Sequence, residues 1–335
     1  MILIFNDGCY DFIYCVLPIF RKSVLPGNHN LVNICLNEKM KIAVFGANGY
    51  IGRHLVHYIT LIKLHVVTCF DIQAKYNGVE NVDYIQIDIT NKTQFAKCGR
   101  FDQIYFFSGL SGTAISLQNY ADFIRVNEIG LLNLLDHYKD VYLKPKIIFP
   151  STRLVYRGVK GKPLVEKSEK ECKTIYACTK WAGEGFLEIY GNMYGFNYTI
   201  FRIGVPYGKV VNGNLSYGTV GFFLERATNG KPIILFGDGQ VRRTFTHVLD
   251  VCRQIVETAI FDESSGECFN VDGETYSLAD VAGLIAVRYG VQVEHTDWPA
   301  LDLGLESGDT IFDAAKIRSI FPQTLTCSLD RWLCA

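Results

Sequence analysis

A tyrosine four residues before a lysine is the arrangement in this chain best suited to chemistry. On a helix the two side chains share a face, and the ammonium lowers the proton affinity of the phenol. Three such pairs occur: Tyr142 with Lys146, Tyr156 with Lys160, and Tyr176 with Lys180. Pro145 interrupts the first and Gly158 the second. Tyr176-Ala177-Cys178-Thr179-Lys180 instead opens a proline-free pattern that continues through Trp181, Phe186, Leu187 and Tyr190. Tyr176 is therefore the expected general base, usable near neutral pH with Lys180 as its electrostatic partner.

A second group of residues suits a phosphate. Gly46-Ala47-Asn48-Gly49-Tyr50-Ile51-Gly52 spaces its glycines as G-x-x-G-x-x-G between an apolar run and an amphipathic one. Glycine is needed where the turn requires positive φ and where backbone must approach a pyrophosphate, whose charge then sits at a helix N-terminus. Asp71 stands 25 positions after Gly46, at the end of the next apolar run. A carboxylate there accepts hydrogen bonds from an adenosine ribose and repels a 2′-phosphate, so NAD is expected over NADP. The expected cofactor contacts are Gly46, Asn48, Gly49, Tyr50, Ile51, Gly52 and Asp71.

These groups need a scaffold, and the hydrophobic pattern supplies one. Lys41 to Phe45, Val66 to Phe70, Tyr84 to Ile87, Gln103 to Phe107, Lys146 to Phe149 and Tyr198 to Phe201 read as buried strands. Helical patterns alternate with them at Ile51 to Leu61, Tyr120 to Tyr138 and Tyr176 to Met193. The alternation predicts an α/β fold, a doubly wound (Rossmann) parallel sheet, with a smaller C-terminal substrate-binding lobe. Residues 40–205 are expected to form the NAD-binding domain and 206–335 mainly the substrate-binding lobe. Residues 1–39 read as an N-terminal extension or the product of an upstream start codon, because Met40 directly precedes KIAVFGANGYIG. Asp7 and Asp11 break the apolar N-terminal run, leaving too little for a membrane span or a secretory signal.

Composition narrows the function classes. The 335 residues include 33 basic and 34 acidic side chains, for a formal net charge of −1, and 49% are hydrophobic. Disorder is excluded by that hydrophobicity, and no broad positive field exists to bind nucleic acid. The 11 cysteines are odd in number and contain no C-x-x-C pair, so neither a disulfide framework nor a metal site is expected. Thiols scattered through a self-sufficient core predict reduced cysteines and a cytoplasmic protein.

GANGYIG, Asp71, FPSTRLVY at 149–156, YACTK at 176–180 and RIGVPYG at 202–208 together resemble the extended short-chain dehydrogenase/reductase family, specifically its NAD-dependent nucleotide-sugar epimerases and dehydratases such as UDP-glucose 4-epimerase. The resemblance runs from Met40 almost to the C-terminus. It implies that Asp88 and Ile89 lie at the adenine end, that Ser108-Gly109 line the cofactor cleft, and that Asn127 steadies the active site. It implies further that Thr152 bonds the sugar hydroxyl being oxidised, with Tyr176 as base and Lys180 as ribose ligand. Arg243 would grip the substrate diphosphate, work that suits a guanidinium fork. The implied substrate is a nucleoside diphosphate sugar.

Within this family a dehydratase needs an acid and a base after Thr152, and Arg153 and Leu154 supply neither. A 4-epimerase acting through a transient 4-keto sugar is therefore the leading expectation, with a reductase or 4,6-dehydratase as enzyme alternatives. A non-catalytic NAD-binding regulator is the alternative of another class. Val205, Thr244 and Arg157 depart from the family pattern and leave the sugar open. The resemblance also allows a homodimer, built from the helix after Asp122 and the one beginning at Tyr176, with Leu131, Leu134, Leu135, Phe186 and Leu187 as candidate contacts or core.

Overall fold

The computed structural model describes residues 39–62, 65–211, 216–322 and 324–334. The extension expected over 1–39 lies outside these, apart from Lys39. Seven strands form the central sheet: β1 (Met40–Phe45), β2 (His65–Asp71), β3 (Asp83–Gln86), β4 (Gln103–Phe106), β5 (Lys146–Thr152), β6 (Tyr198–Ile203) and β7 (Glu267–Asn270). Their order is β7-β6-β5-β4-β1-β2-β3, and every pairing is parallel. The doubly wound α/β sheet is therefore present as expected, and β1 to β6 fall on the predicted apolar runs.

Both faces of the sheet are covered, which is why its central strands carry continuous apolar runs. On one face, helices α1 (Tyr50–Leu61) and, later in the chain, Val248–Ala259 pack Leu55, Ile59, Val251 and Ile255 against Ile42 and Val44. On the other, α2 (Gly130–Tyr138) and α3 (Ile175–Tyr194) pack Leu131, Leu134 and Leu187 against Ala43, Phe45 and Ile104. The predicted helix Tyr120 to Tyr138 is helical throughout but not uniformly α. A π-helical turn over Arg125–Ile129 separates Tyr120–Ile124 from α2 and carries Asn127.

The chain does not divide cleanly at residue 205. After leaving the sheet it builds a second core around Val220, Phe223, Phe245, Val281 and Ile285, beside a three-stranded sheet of Val205–Tyr207, Arg242–His247 and Glu274–Ser277. It then returns to the first domain with Val248–Ala259 and the edge strand β7. The sequence Glu-Cys-Phe-Asn of β7 has no apolar run to announce it; its place is set by pairing with β6 and by Phe269 in the core. Among the described cysteines, Cys69, Cys98, Cys172, Cys178, Cys252, Cys268 and Cys334 are free thiols. Cys327 is disulfide-bonded, which corrects the expectation of reduced cysteines throughout.

Strand order reverses between β1 and β4, so loops from the carboxyl ends of these strands diverge and open a crevice. α3 is held against β5 and β6 beneath that crevice by a buried charge pair. Arg202 on β6 donates from Nε to Glu184 Oε1 on α3 at 3.0 Å, and Ser151 on β5 donates to the same oxygen. Arg202 Nη1 also donates to Tyr156 Oη at 2.8 Å. Removing one partner strands the other charge, so Arg202→Met should cost about 3–5 kcal/mol of stability in urea denaturation. A loss under about 1 kcal/mol would show that the pair does not hold the helix.

Candidate active site

The glycine turn fits a dinucleotide by its close contacts. Gly46 has φ +79° and donates its N–H to Phe70 O at 2.8 Å. A Cβ there would sit 2.5 Å from Ser108 N, and one on Gly52 would sit 2.1 Å from Gly46 O. Backbone therefore comes as near to backbone as atoms allow, and the N-terminus of α1, capped by Gly49 without a side chain, stays open to an anion. Asp71 is buried at the end of β2, where its carboxylate accepts from Asn48 N at 3.0 Å and Gln73 N at 3.2 Å. Asn48 in turn accepts from Asn77 N at 2.8 Å and donates to Lys75 O at 2.9 Å, joining the turn to the loop after β2.

Other expected cofactor contacts are placed less directly. Tyr50 donates to Gly208 O at 2.9 Å and stacks on Tyr217, while Ile51 packs against the core. Asp88 spends one carboxylate oxygen on Thr90, accepting from its N at 2.9 Å and its hydroxyl at 2.8 Å, and Ile89 is buried against Gly130. Ser108 and Gly109 follow β4 into the crevice. A Cβ on Gly109 would lie 3.0 Å from Asn127 Oδ1 and 3.7 Å from Lys180 Nζ, so three separately expected residues meet there. Asn127 accepts from Leu110 N at 2.7 Å and donates to Leu110 O and to Thr179 Oγ1, each at 3.0 Å. The π-helical turn directs this amide into the crevice loop.

Thr152 ends β5 and Tyr176 begins α3, which Thr174 caps by accepting from Ala177 N at 3.0 Å. Their side chains are near enough for the Thr152 hydroxyl to favour the ionised Tyr176 phenol. Lys180 lies one turn further on, buried, with Nζ 4.7 Å above the Phe149 ring. Burial pushes the Tyr176 phenol up to about 12; the Tyr217 phenol adds to the rise, and the Thr152 hydroxyl and the Arg153 charge oppose it. Lys180 is itself driven down to about 8 by burial, against the pull of Glu184. The cation that favours ionised Tyr176 is thus Arg153, and desolvation outweighs it.

The model of the NAD dependent epimerase/dehydratase family matches residues 42–272. The chain belongs to that family. It is an NAD-dependent enzyme of the extended short-chain dehydrogenase/reductase type. It is 27% identical to UDP-glucuronate 4-epimerase 5 of Arabidopsis thaliana over 270 residues, 73% of this chain and 59% of that one. It is 24% identical to CDP-paratose 2-epimerase of Salmonella typhi over 318 residues, 84% of this chain and 92% of that one. Among solved structures it resembles the UDP-glucose 4-epimerase of Thermotoga maritima, determined with UDP-glucose, at 25% identity and TM-score 0.77, covering 88% of this chain and 96% of that one.

In this epimerase-family chain Arg243 is neither free nor solvated. It is buried, its Nη2 pairs with Glu306 Oε2 at 2.7 Å, and its Nε has no partner. Of the departures from the family pattern, Val205 is buried in a strand, Thr244 accepts from Phe312 N at 2.8 Å, and exposed Arg157 pairs with Glu169. Sequence reasoning missed the roles of Arg153, Glu184, Tyr217 and Glu306. Arg153 carried a usable signal, being a charge directly after Thr152; the others carried none, because their contacts span distant segments. A Gly46→Ala variant, strained at positive φ and driven into Ser108, should lose NAD binding in titration calorimetry by at least tenfold while retaining its fold; unchanged affinity would refute the tightness of this turn.

Proposed function

We propose that this enzyme inverts a hydroxyl-bearing carbon of a nucleoside diphosphate sugar, at C4, through a transient 4-keto sugar, with Tyr176 as the base. The observation that carries this reading is the placing of Thr152 at the end of β5 and Tyr176 at the start of α3, one helical turn from buried Lys180. Thr152 would bond the reacting sugar hydroxyl and Tyr176 would take its proton, directly or through the Thr152 hydroxyl, returning it after the sugar has turned over. Bound NAD would accept a hydride from the sugar carbon and give it back to the opposite face. Gly46, Gly49 and Gly52 would admit its pyrophosphate, Asp71 its adenosine ribose, and Lys180 the other ribose. Arg243 would meet the substrate diphosphate, which must share or displace Glu306.

Support comes from the 4-epimerases among the relatives and from Arg153 and Leu154, which offer no acid and base for water elimination. Exposed Ile124, Ile129, Trp181 and Ile189 offer a surface for a homodimer, whereas Leu131, Leu134, Leu135 and Leu187 belong to the core.

Incubation with UDP-, GDP-, CDP- and dTDP-sugars, read by mass spectrometry and NMR, should give a product of unchanged mass and inverted stereochemistry. Loss of water or gain of two hydrogens would replace this reading by dehydration or reduction. Tyr176→Phe should abolish turnover and leave NAD binding nearly unchanged; normal turnover would remove Tyr176 as base. Because burial holds Lys180 at about 8, its ammonium is present below that pH and lost above it. Turnover should therefore decline as pH rises through about 8, and Lys180→Arg, which stays charged, should lack that limb.

A further inference from the structure

Four arginines are buried among the described residues: Arg153, Arg202, Arg243 and Arg253. Three are neutralised in contact, Arg202 by Glu184, Arg243 by Glu306 at 2.7 Å and Arg253 by Asp250 at 3.0 Å. Arg153 is the exception. Its Nη1 donates to two neutral hydroxyls, Ser307 Oγ and Thr310 Oγ1, each at 3.1 Å, and no described carboxylate touches it. Glu306 attracts Arg153 through space without touching it; its Oε2 pairs with Arg243 and its Oε1 accepts from Gly308 N at 3.0 Å, so one carboxylate is left to serve two guanidinium groups. Taking a cation out of water costs several kcal/mol unless an anion compensates, so an unmatched buried guanidinium points to an anion from outside the chain.

Position says which part of the ligand supplies it. Arg153 directly follows Thr152, and its charge acts on the Tyr176 phenol. It therefore stands at the reacting end of the crevice. Arg243, whose charge also reaches Arg153, is the cation expected to meet the diphosphate. The chemistry of the anchor fits a carboxylate. Ser307 and Thr310 accept from Arg153 through lone pairs and keep their O–H protons to donate, while Nε and Nη2 of Arg153 have no acceptor among the described residues. A planar carboxylate can take donors from the guanidinium fork and from both hydroxyls together.

We propose that Arg153, seated on Ser307 and Thr310, binds a carboxylate carried on the substrate's sugar ring, so that the enzyme acts on a nucleoside diphosphate sugar acid and not on the neutral hexose. This deepens the epimerase reading and rests on it for the placing of the sugar. Dissociation constants of the NAD-loaded enzyme decide it, measured by titration calorimetry with UDP-glucuronate against UDP-glucose, GDP-mannuronate against GDP-mannose, and UDP and GDP alone. In at least one pair the acid should bind about 10- to 100-fold more tightly than the neutral sugar. Arg153→Met should erase that preference while leaving UDP or GDP alone within about twofold of wild type.

A Ser307→Ala/Thr310→Ala variant, which keeps the charge but removes its seat, should reduce the preference in part. Equal or weaker binding of the acid by the wild type overturns the proposal without any variant, as does a preference that survives in Arg153→Met. A loss of affinity for UDP or GDP alone in Arg153→Met, matching its loss for the acid, would move Arg153 to the diphosphate and also overturn it. Failure of every nucleotide and nucleotide sugar to bind would instead overturn the epimerase reading itself.

Discussion

The site depends on one carboxylate. Glu184 lies four residues after Lys180 on the same face of α3, accepts from Ser151 on β5 and pairs with Arg202 on β6. A charge buried this deeply is tolerable only when its partners are in place, so the pair fixes the helix relative to the two strands and does not merely decorate the contact. Ser151 immediately precedes Thr152, and Lys180 follows Tyr176 by one turn. The bond that joins Ser151 to Glu184 therefore sets the distance between the end of β5 and the start of α3, across which Thr152 and Tyr176 meet. The same carboxylate pulls the proton affinity of buried Lys180 upward against desolvation.

Around that fixed point the cofactor side is shaped by backbone more than by charge. Gly46, Gly52 and Gly109 each stand where a methyl group would strike a neighbouring atom, and the residues beside them supply amides and an open helix end. This explains how a chain with a net charge of −1 can hold a dinucleotide. The attraction comes from oriented N–H groups in a crevice of low dielectric, where a few placed dipoles act more strongly than a diffuse positive surface would. The Asp71 carboxylate at the end of β2 is held in place by Asn48 N and Gln73 N.

The parts legible in the sequence were those whose signal is local. Apolar runs marked β1 to β6 because buried parallel strands need side chains on both faces, and YACTK was separable from two chance Tyr-Lys pairs because proline and glycine break helices. β7 was not legible, since an edge strand of four residues carries little pattern. The π-helical turn was equally hidden: Tyr120 to Tyr138 has a helical period, and the extra residue per turn appears only once Asn127 bonds Leu110 and Thr179. The surroundings of Tyr176 were hidden for the same reason. Spacing puts Lys180 on its face, but the depth of burial, and the approach of Arg153 from a different element, are tertiary facts.

Arg153 joins these strands of argument. Judged as an acid or base it is useless, which is why the sequence alone treated it as evidence against dehydration and nothing more. Judged as a buried charge it imposes a demand. Arg202, Arg243 and Arg253 show how this fold ordinarily meets that demand, with a carboxylate in direct contact, from another segment for the first two and from one turn back on the same helix for Arg253. At Arg153 the neighbouring segment offers Ser307 and Thr310 instead, groups that can orient a guanidinium but cannot neutralise it. Those hydroxyls leave the fork charged beside a phenol expected to remove a proton, where the positive charge favours the phenolate. One residue thus bears on both which sugar fits and how readily Tyr176 ionises, and an anion placed on it would weaken the second effect while satisfying the first.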